Sequence, residues 1–377
     1  MENTKSISIF TSYFLAIVTC AFVIVRSILS SFRFCKRNGI SKSTKHNLCT
    51  QFVLFVILTA LSFGFTWYNM LRFFHLSYTI WSTTVTPLDT PHTIGNWLRD
   101  TKLFEEAYRI VVITPERWWW SQQIFLACFG WGVWVSYQGK PGRGGKERSW
   151  KVLTAYMVLA QLVSLSVAVN LYFVDVLAYR GAEAPPPAKG RREPRATETG
   201  LAKALLGFYL TLCFIPTSLL PTLIHTPPTS PLNKFFFPAL LLPHVALFIP
   251  IFFAYPTSPR FTRILYTCLT FGCVACHAAS TLATIKATIK WLGKTLLNTH
   301  PAVSSVSWDV VWFVVSVALW AGIEGGAGGI WVEGGGHKVG QREGACFMKR
   351  VMRVVVAAVM MAVAGAGAGS LVFAADL

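Results

Sequence analysis

Eight long apolar segments, and a ninth near the C-terminus, constrain the fold of this chain more than any other feature. A transmembrane helix needs about 20 mainly apolar residues. Inside lipid, backbone polar groups must be satisfied within a helix or a closed barrel, so each segment is predicted to be a helix. The predicted spans lie near 8–29, 51–73, 119–138, 152–178, 202–224, 235–254, 262–285 and 303–322, with the ninth near 351–373.

The composition favours an all-α integral membrane protein, a polytopic helical bundle, over a soluble one. Of 377 residues, 53% are hydrophobic and 13% are charged, whereas globular domains have about 25% charged residues. The net charge of +18 comes mostly from Lys and Arg between the apolar runs, which suits an anionic membrane surface. No nucleic-acid-binding motif accompanies this charge. We expect a polytopic domain over 1–322, followed by a Gly-rich linker and an extra helix over 323–377.

The distribution of Lys and Arg predicts the orientation only in part. The basic 31–50 and 139–151 segments should face the cytosol, with the N-terminus outside. The 180–203 segment is equally basic, yet a count of eight spans places it on the far side. Either a span is miscounted or this Pro-rich loop does not follow the rule. Prolines in the fifth and sixth predicted spans also indicate kinked or broken helices there.

The longest segment between spans contains an amphipathic pattern. Asn96 can cap a helix over 96–113, with apolar and aromatic side chains on one face and charged ones on the other. Such a helix would lie in the plane of the membrane interface. It leads into Trp118-Trp119-Trp120, which we interpret as an interface anchor, with a pocket wall as the alternative.

Polar residues inside apolar runs are the candidate functional groups, since such groups are costly in lipid. Asp309 should lie about 9 Å along the eighth span from its start and be desolvated, unless it is a wet residue of the first turns. Asn170 belongs to a polar set in the fourth span that favours helix–helix contact. His277 lies in a Thr-rich stripe and is either hydrogen-bonded across the helix or functional. Asp100 is placed on the apolar side of the 96–113 helix, where a dipole role is the alternative.

Two stretches resemble one fungal family. They are Asn96-Trp-Leu-Arg-Asp-Thr-Lys-Leu-Phe-Glu-Glu-Ala-Tyr leading to Pro115-Glu-Arg-Trp-Trp-Trp-Ser-Gln-Gln, and His300-Pro-Ala-Val-Ser-Ser-Val-Ser-Trp-Asp309. Together with the span pattern, which extends the likeness over about 50–322, they resemble the membrane-bound terpene cyclases of the ascofuranone (AscI) type. The C-terminal region departs from that family. The resemblance implies about eight helices, residence in the endoplasmic reticulum, and a hydrophobic prenylated aromatic substrate of meroterpenoid biosynthesis.

In such an enzyme a terminal epoxide or olefin is protonated to begin ring closure. Acid initiation needs a carboxyl group that holds its proton, a dry pocket and aromatic faces over the cation. The candidate acids are Asp309, Asp100, Glu106 and Glu105. The candidate substrate-binding residues are Tyr68, Gln123, Asn170, His277, Trp308 and Trp312.

We expect neither a metal nor a cofactor. The chain lacks the paired Asp-rich motifs that hold magnesium in diphosphate-dependent terpene enzymes. The string Cys273-Val-Ala-Cys276-His277 spells a haem c attachment site, but it lies inside an apolar run. Two alternatives to the cyclase remain: a transporter or receptor-like protein whose polar stripes line a path, and a scaffold without small-molecule chemistry.

Overall fold

The computed structural model describes residues 2–38, 42–85, 92–139, 148–180, 200–227, 229–253, 259–297, 300–331 and 342–374. Within these ranges the regular structure is helical, with no strand. This confirms the all-α prediction. The helices are α1 (Glu2–Asn38), α2 (Lys42–Thr84), α3 (Ile94–Asp100), α4 (Leu103–Val112), α5 (Pro115–Gln138), α6 (Trp150–Leu162), α7 (Leu165–Arg180), α8 (Gly200–Ile224), α9 (Phe236–Ala246), α10 (Ile249–Phe253), α11 (Pro259–Leu297), α12 (Pro301–Trp331), α13 (Arg342–Ala364) and α14 (Ser370–Ala374). Short 3₁₀ turns cover Asn233–Phe235 and Ala366–Gly369.

Six segments of the described chain are long and apolar enough to cross a membrane, as expected of a multi-pass protein. They are Asn3–Phe34, Leu48–Thr84, Ala204–Ile224, Asn233–Phe252, Ile264–Thr284 and Pro301–Ile323. Their outward faces carry exposed apolar side chains such as Leu15 (65%) and Phe271 (74%). Apolar groups exposed over whole helix faces are typical of contact with lipid.

Helix α5 lies at the centre of the bundle. Trp131 and Trp134 of this helix are fully buried, and Trp134 packs edge-on against Tyr172 and Trp320 from neighbouring helices. A helix that is buried on all sides needs no lipid-facing apolar stripe. The third predicted span is therefore an internal helix, and most of its side chains pack against neighbouring helices.

The fourth predicted span is not one helix but a hairpin of two. Helix α6 ends at Leu162 and α7 begins at Leu165. The rings of Tyr156 and Tyr172 are 5.1 Å apart, whereas a continuous helix would separate these residues by about 24 Å. The chain therefore reverses at residues 163–164, and the expectation of a single span over 152–178 is wrong.

A buried ion pair joins the two ends of this hairpin. Arg148 Nε donates to Asp175 Oδ2 at 2.8 Å, with side-chain exposures of 2% and 0%. Asp175 also accepts from Ser31 Oγ of α1 at 2.6 Å and from Ser27 Oγ at 3.2 Å. Three helices are thereby fixed to one another at the same level of the bundle. Asp175 is thus buried and paired.

The hairpin resolves the conflict over orientation. The last turn of α1 and that of α7 lie side by side, with the rings of Phe34 and Tyr179 stacked at 5.1 Å. Gly139 O, after α5, accepts from Arg148 N at 2.9 Å. The basic segments that follow α1, α5 and α7 all start at this end, which we call the basic end. By the positive-inside rule we expect it to face the cytosol; residues 181–199 themselves lie outside the described chain.

The opposite end, called the far end, holds α3 and α4 instead of one interfacial helix over 96–113. Thr93, not Asn96, caps α3: its Oγ1 accepts from Asn96 N at 3.2 Å. The helix ends at Asp100, and α4 starts anew at Leu103. Tyr13 of α1 connects α4 to the hairpin, since its hydroxyl donates to Leu162 O at 2.5 Å and its ring lies 5.3 Å from Phe104. Tyr13 thus links α4 to the hairpin tip.

Proline breaks the sixth predicted span but not the fifth. The predicted sixth span is broken between α9 and α10, close to Pro250, as the prolines indicated, whereas α8 continues through Pro216 and Pro221.

The ninth run does not form a helix to 373. Helix α13 ends at Ala364, and the chain turns at Gly365, whose φ of 83° favours glycine. Residues 332–341 of the predicted linker lie outside the described chain.

Candidate functional site at the far end of the bundle

The two stretches that resemble the terpene cyclase family meet at the far end. One apolar cluster, called the end cluster, contains residues from both stretches and from α2. Its buried members include Phe73, Trp81, Trp97, Leu98, Leu103, Val111, Val112, Trp118, Ala302 and Val303. His300 adds a ring contact to Phe73 at 5.9 Å. Sequence segments about 200 residues apart thus share one packed region.

Glu106 is held in the end cluster by a short chain of hydrogen bonds. Trp97 Nε1 donates to Ser77 Oγ at 3.3 Å, and Ser77 Oγ donates to Glu106 Oε2 at 3.4 Å. Ser77 is buried and Glu106 is half-buried. Among the described residues no Lys, Arg or His lies within ion-pair distance of Glu106. Its carboxyl group is therefore not committed to a cation.

Glu105, its neighbour in sequence, has a different environment. Lys102 Nζ and Arg109 Nε lie 3.5 Å and 3.0 Å from its carboxylate oxygens, and its side chain is 27% exposed. Arg109 in turn lies over the ring of Phe236 at 4.8 Å. These are surface ion pairs that stabilise α4.

Asp100 is ionised by its surroundings. Arg99 Nε donates to its carboxylate at 2.7 Å, and Trp81 Nε1 does so at 3.2 Å. These hydrogen bonds, that of Arg99 above all, hold the pKa of Asp100 below its usual value against a smaller opposing effect of burial. Its side chain is also 30% exposed. A carboxylate that keeps its charge is a poor proton donor, which removes the physical argument for Asp100 as the acid.

Asp309 is buried as expected, but it serves as a helix cap. It is 6% exposed, so the alternative of a wet first-turn residue is wrong. Its two oxygens accept from Leu165 N at 2.9 Å and from Ser166 N at 2.8 Å. These two N–H groups lie at the start of α7 and have no partner within that helix. Asp309 of α12 therefore caps α7 at the hairpin tip. Both oxygens are thereby occupied by the protein itself.

Asp309 and Asp100 cannot share a site. On α2, Thr66 O accepts from Ser305 Oγ, and Asp309 lies one turn beyond Ser305 toward the basic end. Trp81, which binds Asp100, lies 15 residues further along α2. At 1.5 Å per residue this is about 22 Å. The two acids therefore lie at different levels of the helical bundle.

Three of the candidate substrate-binding residues, all aromatic, lie away from the end cluster. Tyr68 is 62% exposed, and the Arg72 guanidinium lies 5.6 Å from the centroid of its ring. Trp308 and Trp312 pack against Phe65 of α2, with ring centroids 4.5 Å and 5.6 Å away. Phe65 is itself 39% exposed. These aromatic groups therefore form part of the outer α2–α12 surface.

Asn170, Gln123 and His277 also lie elsewhere. Asn170 is fully buried and donates to Ser62 Oγ at 3.1 Å, which joins α7 to α2. His277 Nδ1 lies 3.1 Å from Gln122 Nε2, between α11 and α5. Gln123 Oε1 accepts from the backbone of Ala366 at 3.2 Å. Among the described residues, none of the three has a hydrogen bond to a member of the end cluster.

The triple tryptophan is mostly internal. Trp118 and Trp120 are 7% and 6% exposed, and Trp119 Nε1 donates to Thr281 Oγ1 at 2.9 Å. Trp118 belongs to the end cluster itself. The structure therefore disagrees with an anchor at the lipid surface.

Sequence reasoning missed Ser77, Trp81 and Trp97. Helix α2 continues to Thr84, eleven residues beyond the predicted end of the second span. Phe73, Ser77 and Trp81 follow one another at intervals of four residues, the spacing of one helix face. That periodicity would have been enough to extend the helix.

No protein-family model, curated protein or solved structure matches this chain.

Proposed function

We propose that the protein is a membrane-bound terpene cyclase of the endoplasmic reticulum, which closes rings in a prenylated aromatic substrate after protonation of an epoxide or olefin. We assign the proton donor to Glu106. The observation that supports the proposal is the meeting of the two resembling stretches in the end cluster, to which the Glu106 carboxyl group is connected through Ser77 and Trp97. The membrane of residence and the substrate class follow from the family resemblance.

The carboxyl group of Glu106 is the best suited of the four candidate acids. Asp309 is bound by two backbone N–H groups, Asp100 by Arg99 and Trp81, and Glu105 by two cations. Glu106 accepts only from Ser77 among its described neighbours. A general acid must reach the reacting atom directly, and an unpaired carboxyl group is able to do so.

The reaction would be an isomerisation. Glu106 donates its proton to the epoxide oxygen, a C–O bond breaks, and the π electrons of a nearby double bond form the new C–C bond. The final cation releases a proton, so no atom is gained or lost. Trp81, Trp97 and Phe73 offer aromatic faces that stabilise a cation, and their apolar packing keeps water from capturing it.

The test is conversion of an epoxyfarnesyl phenol by membranes that contain the protein. The proposal predicts a cyclic product of unchanged mass, absent from membranes without the protein. As a control, a known cyclase must convert the same batch of epoxyfarnesyl phenol, which shows that the substrate is intact and accessible. If the known cyclase is active and this protein leaves the compound unchanged, the proposal fails for this substrate class.

A transporter is the second candidate, and the α6–α7 hairpin favours it. Interrupted helices inside a membrane are where many transporters bind their substrates, and the start of α7 is such an end. Here its N–H groups are taken by Asp309. Proteoliposomes distinguish the two functions: a transporter moves the phenol unchanged across the bilayer, whereas a cyclase alters it.

A further inference from the structure

The segment after α13 turns back into the bundle. It comprises residues 365–374 and is called the C-terminal segment. Gly365 permits the turn through its positive φ, and its backbone lies against the ring of His277. Ala366 and Ala368 are fully buried, and Ser370 is 1% exposed. The backbone of this segment therefore lies inside the core, in space of the kind that side chains usually fill.

The space that holds this segment lies between α5, α11 and α12 and is called the inner chamber. A Cβ added to Gly367 would come within 2.7 Å of Leu126 and 2.8 Å of Cys273. A Cβ at Gly130 would collide with Ser370. Glycines thus allow the segment to fit closely.

The walls of the inner chamber are unusually polar for a buried region of a membrane protein. Gln122, Gln123 and His277 are at most 3% exposed. The segment satisfies Gln123 Oε1 through the Ala366 N–H at 3.2 Å. Ser280 Oγ on α11 and Ser370 Oγ on the segment are buried and have no hydrogen-bond partner among the described residues. Buried polar groups normally find partners, and each exception needs an explanation.

The segment is poorly suited to be a permanent part of the core. Its buried residues are mainly Gly and Ala, which bury little apolar area, and glycine loses the most conformational freedom when it is ordered. We infer that the inner chamber is a binding site for a lipophilic molecule with a hydroxyl donor, and that the C-terminal segment is an internal plug which this molecule displaces. The hydroxyl would replace the Ala366 N–H at Gln123. This site is separate from the end cluster and does not depend on the cyclase proposal.

Cys273 reports whether the plug is seated, because it is fully buried against Gly367. The other cysteines are replaced by alanine, and the rate of N-ethylmaleimide labelling is measured in nanodiscs. We expect chains that end at Ala364, and chains with Gly367→Val, to react at least about tenfold faster, which corresponds to about 1.4 kcal/mol. Gly207→Val is the matched control, since its added Cβ meets nothing within 4 Å.

A second reporter separates plug release from general unfolding. Cys213 of α8 is also fully buried. In a chain that retains Cys213 as its sole cysteine, labelling should remain slow after truncation at Ala364 or with Gly367→Val. Faster labelling of both cysteines would show that the segment is an integral part of the core and would overturn the inference. Unchanged labelling of Cys273 without the segment would overturn it as well.

The ligand class is tested with two probes of equal length, 1-dodecanol and dodecane. In the chain that ends at Ala364, 1-dodecanol should protect Cys273 from labelling more strongly than dodecane. Gln123→Leu should abolish this difference, because the hydroxyl loses its acceptor. Equal protection by both probes, or protection by neither, would contradict a site for a hydroxyl donor.

Discussion

The buried Arg148–Asp175 pair permits a quantitative prediction about stability. Asp175→Asn preserves the shape of the side chain but removes the negative charge that faces Arg148, in a region where both side chains are at most 2% exposed. Removal of one member of a buried ion pair costs about 3–5 kcal/mol. This is a large part of the roughly 5–15 kcal/mol that stabilise a typical protein.

The free energy of unfolding is measured by titration of mixed micelles with a denaturing detergent, with tryptophan fluorescence as the signal. Asp100→Asn is the control, because its pair with Arg99 is about 30% exposed and such surface pairs contribute about 0–1 kcal/mol. The double variant Arg148→Met with Asp175→Leu removes both charges and should recover most of the loss. A loss below about 1 kcal/mol for Asp175→Asn, or a double variant as unstable as the single one, would refute the reasoning.

Three further predictions concern the hairpin and α12. Asp309→Asn should destabilise the protein by about 0.5–2 kcal/mol through loss of a charged helix cap, while activity per folded molecule is retained; a folded but inactive variant would restore Asp309 as the acid. Cysteines placed at Lys151 and Lys189 should be labelled by an impermeant maleimide from the same side of the membrane, and a cysteine at Lys102 from the other; opposite labelling of the first two would rule out the hairpin. Gly322→Val should lower stability by about 1–3 kcal/mol by overpacking, since its Cβ would lie 2.5 Å from a side chain of α13; unchanged detergent unfolding would contradict that contact.

The membrane class of the fold could be predicted because it depends on local composition. Apolar runs of about 20 residues must become helices in lipid, whatever their neighbours are. The hairpin could not be predicted in this way. Its turn at Val163-Ser164 contains neither Gly nor Pro. The N–H groups of Leu165 and Ser166 that follow it are satisfied by Asp309, which lies 144 and 143 residues away in sequence. A turn stabilised by a distant side chain leaves no local signal.

The candidate site was predictable at the level of segments, not of single side chains. Glu105 and Glu106 are adjacent and equally acidic in sequence, yet one faces two cations and the other faces Ser77. The two side chains point about 100° apart on α4, and the packing of α4 against α2 decides which of them meets Ser77. The C-terminal segment was unpredictable for a related reason, since Gly and Ala show no periodicity.

The most direct test of the central claim compares Glu106→Gln with Glu105→Gln at equal abundance in membranes, with the rate of ring closure of the epoxyfarnesyl phenol as the measured quantity. If Glu106 is the proton donor, its amide variant should lose about 10²–10⁴-fold in rate, the usual contribution of a general acid, while Glu105→Gln stays close to the unaltered protein. Equal rates for the two variants would contradict the assignment of the acid.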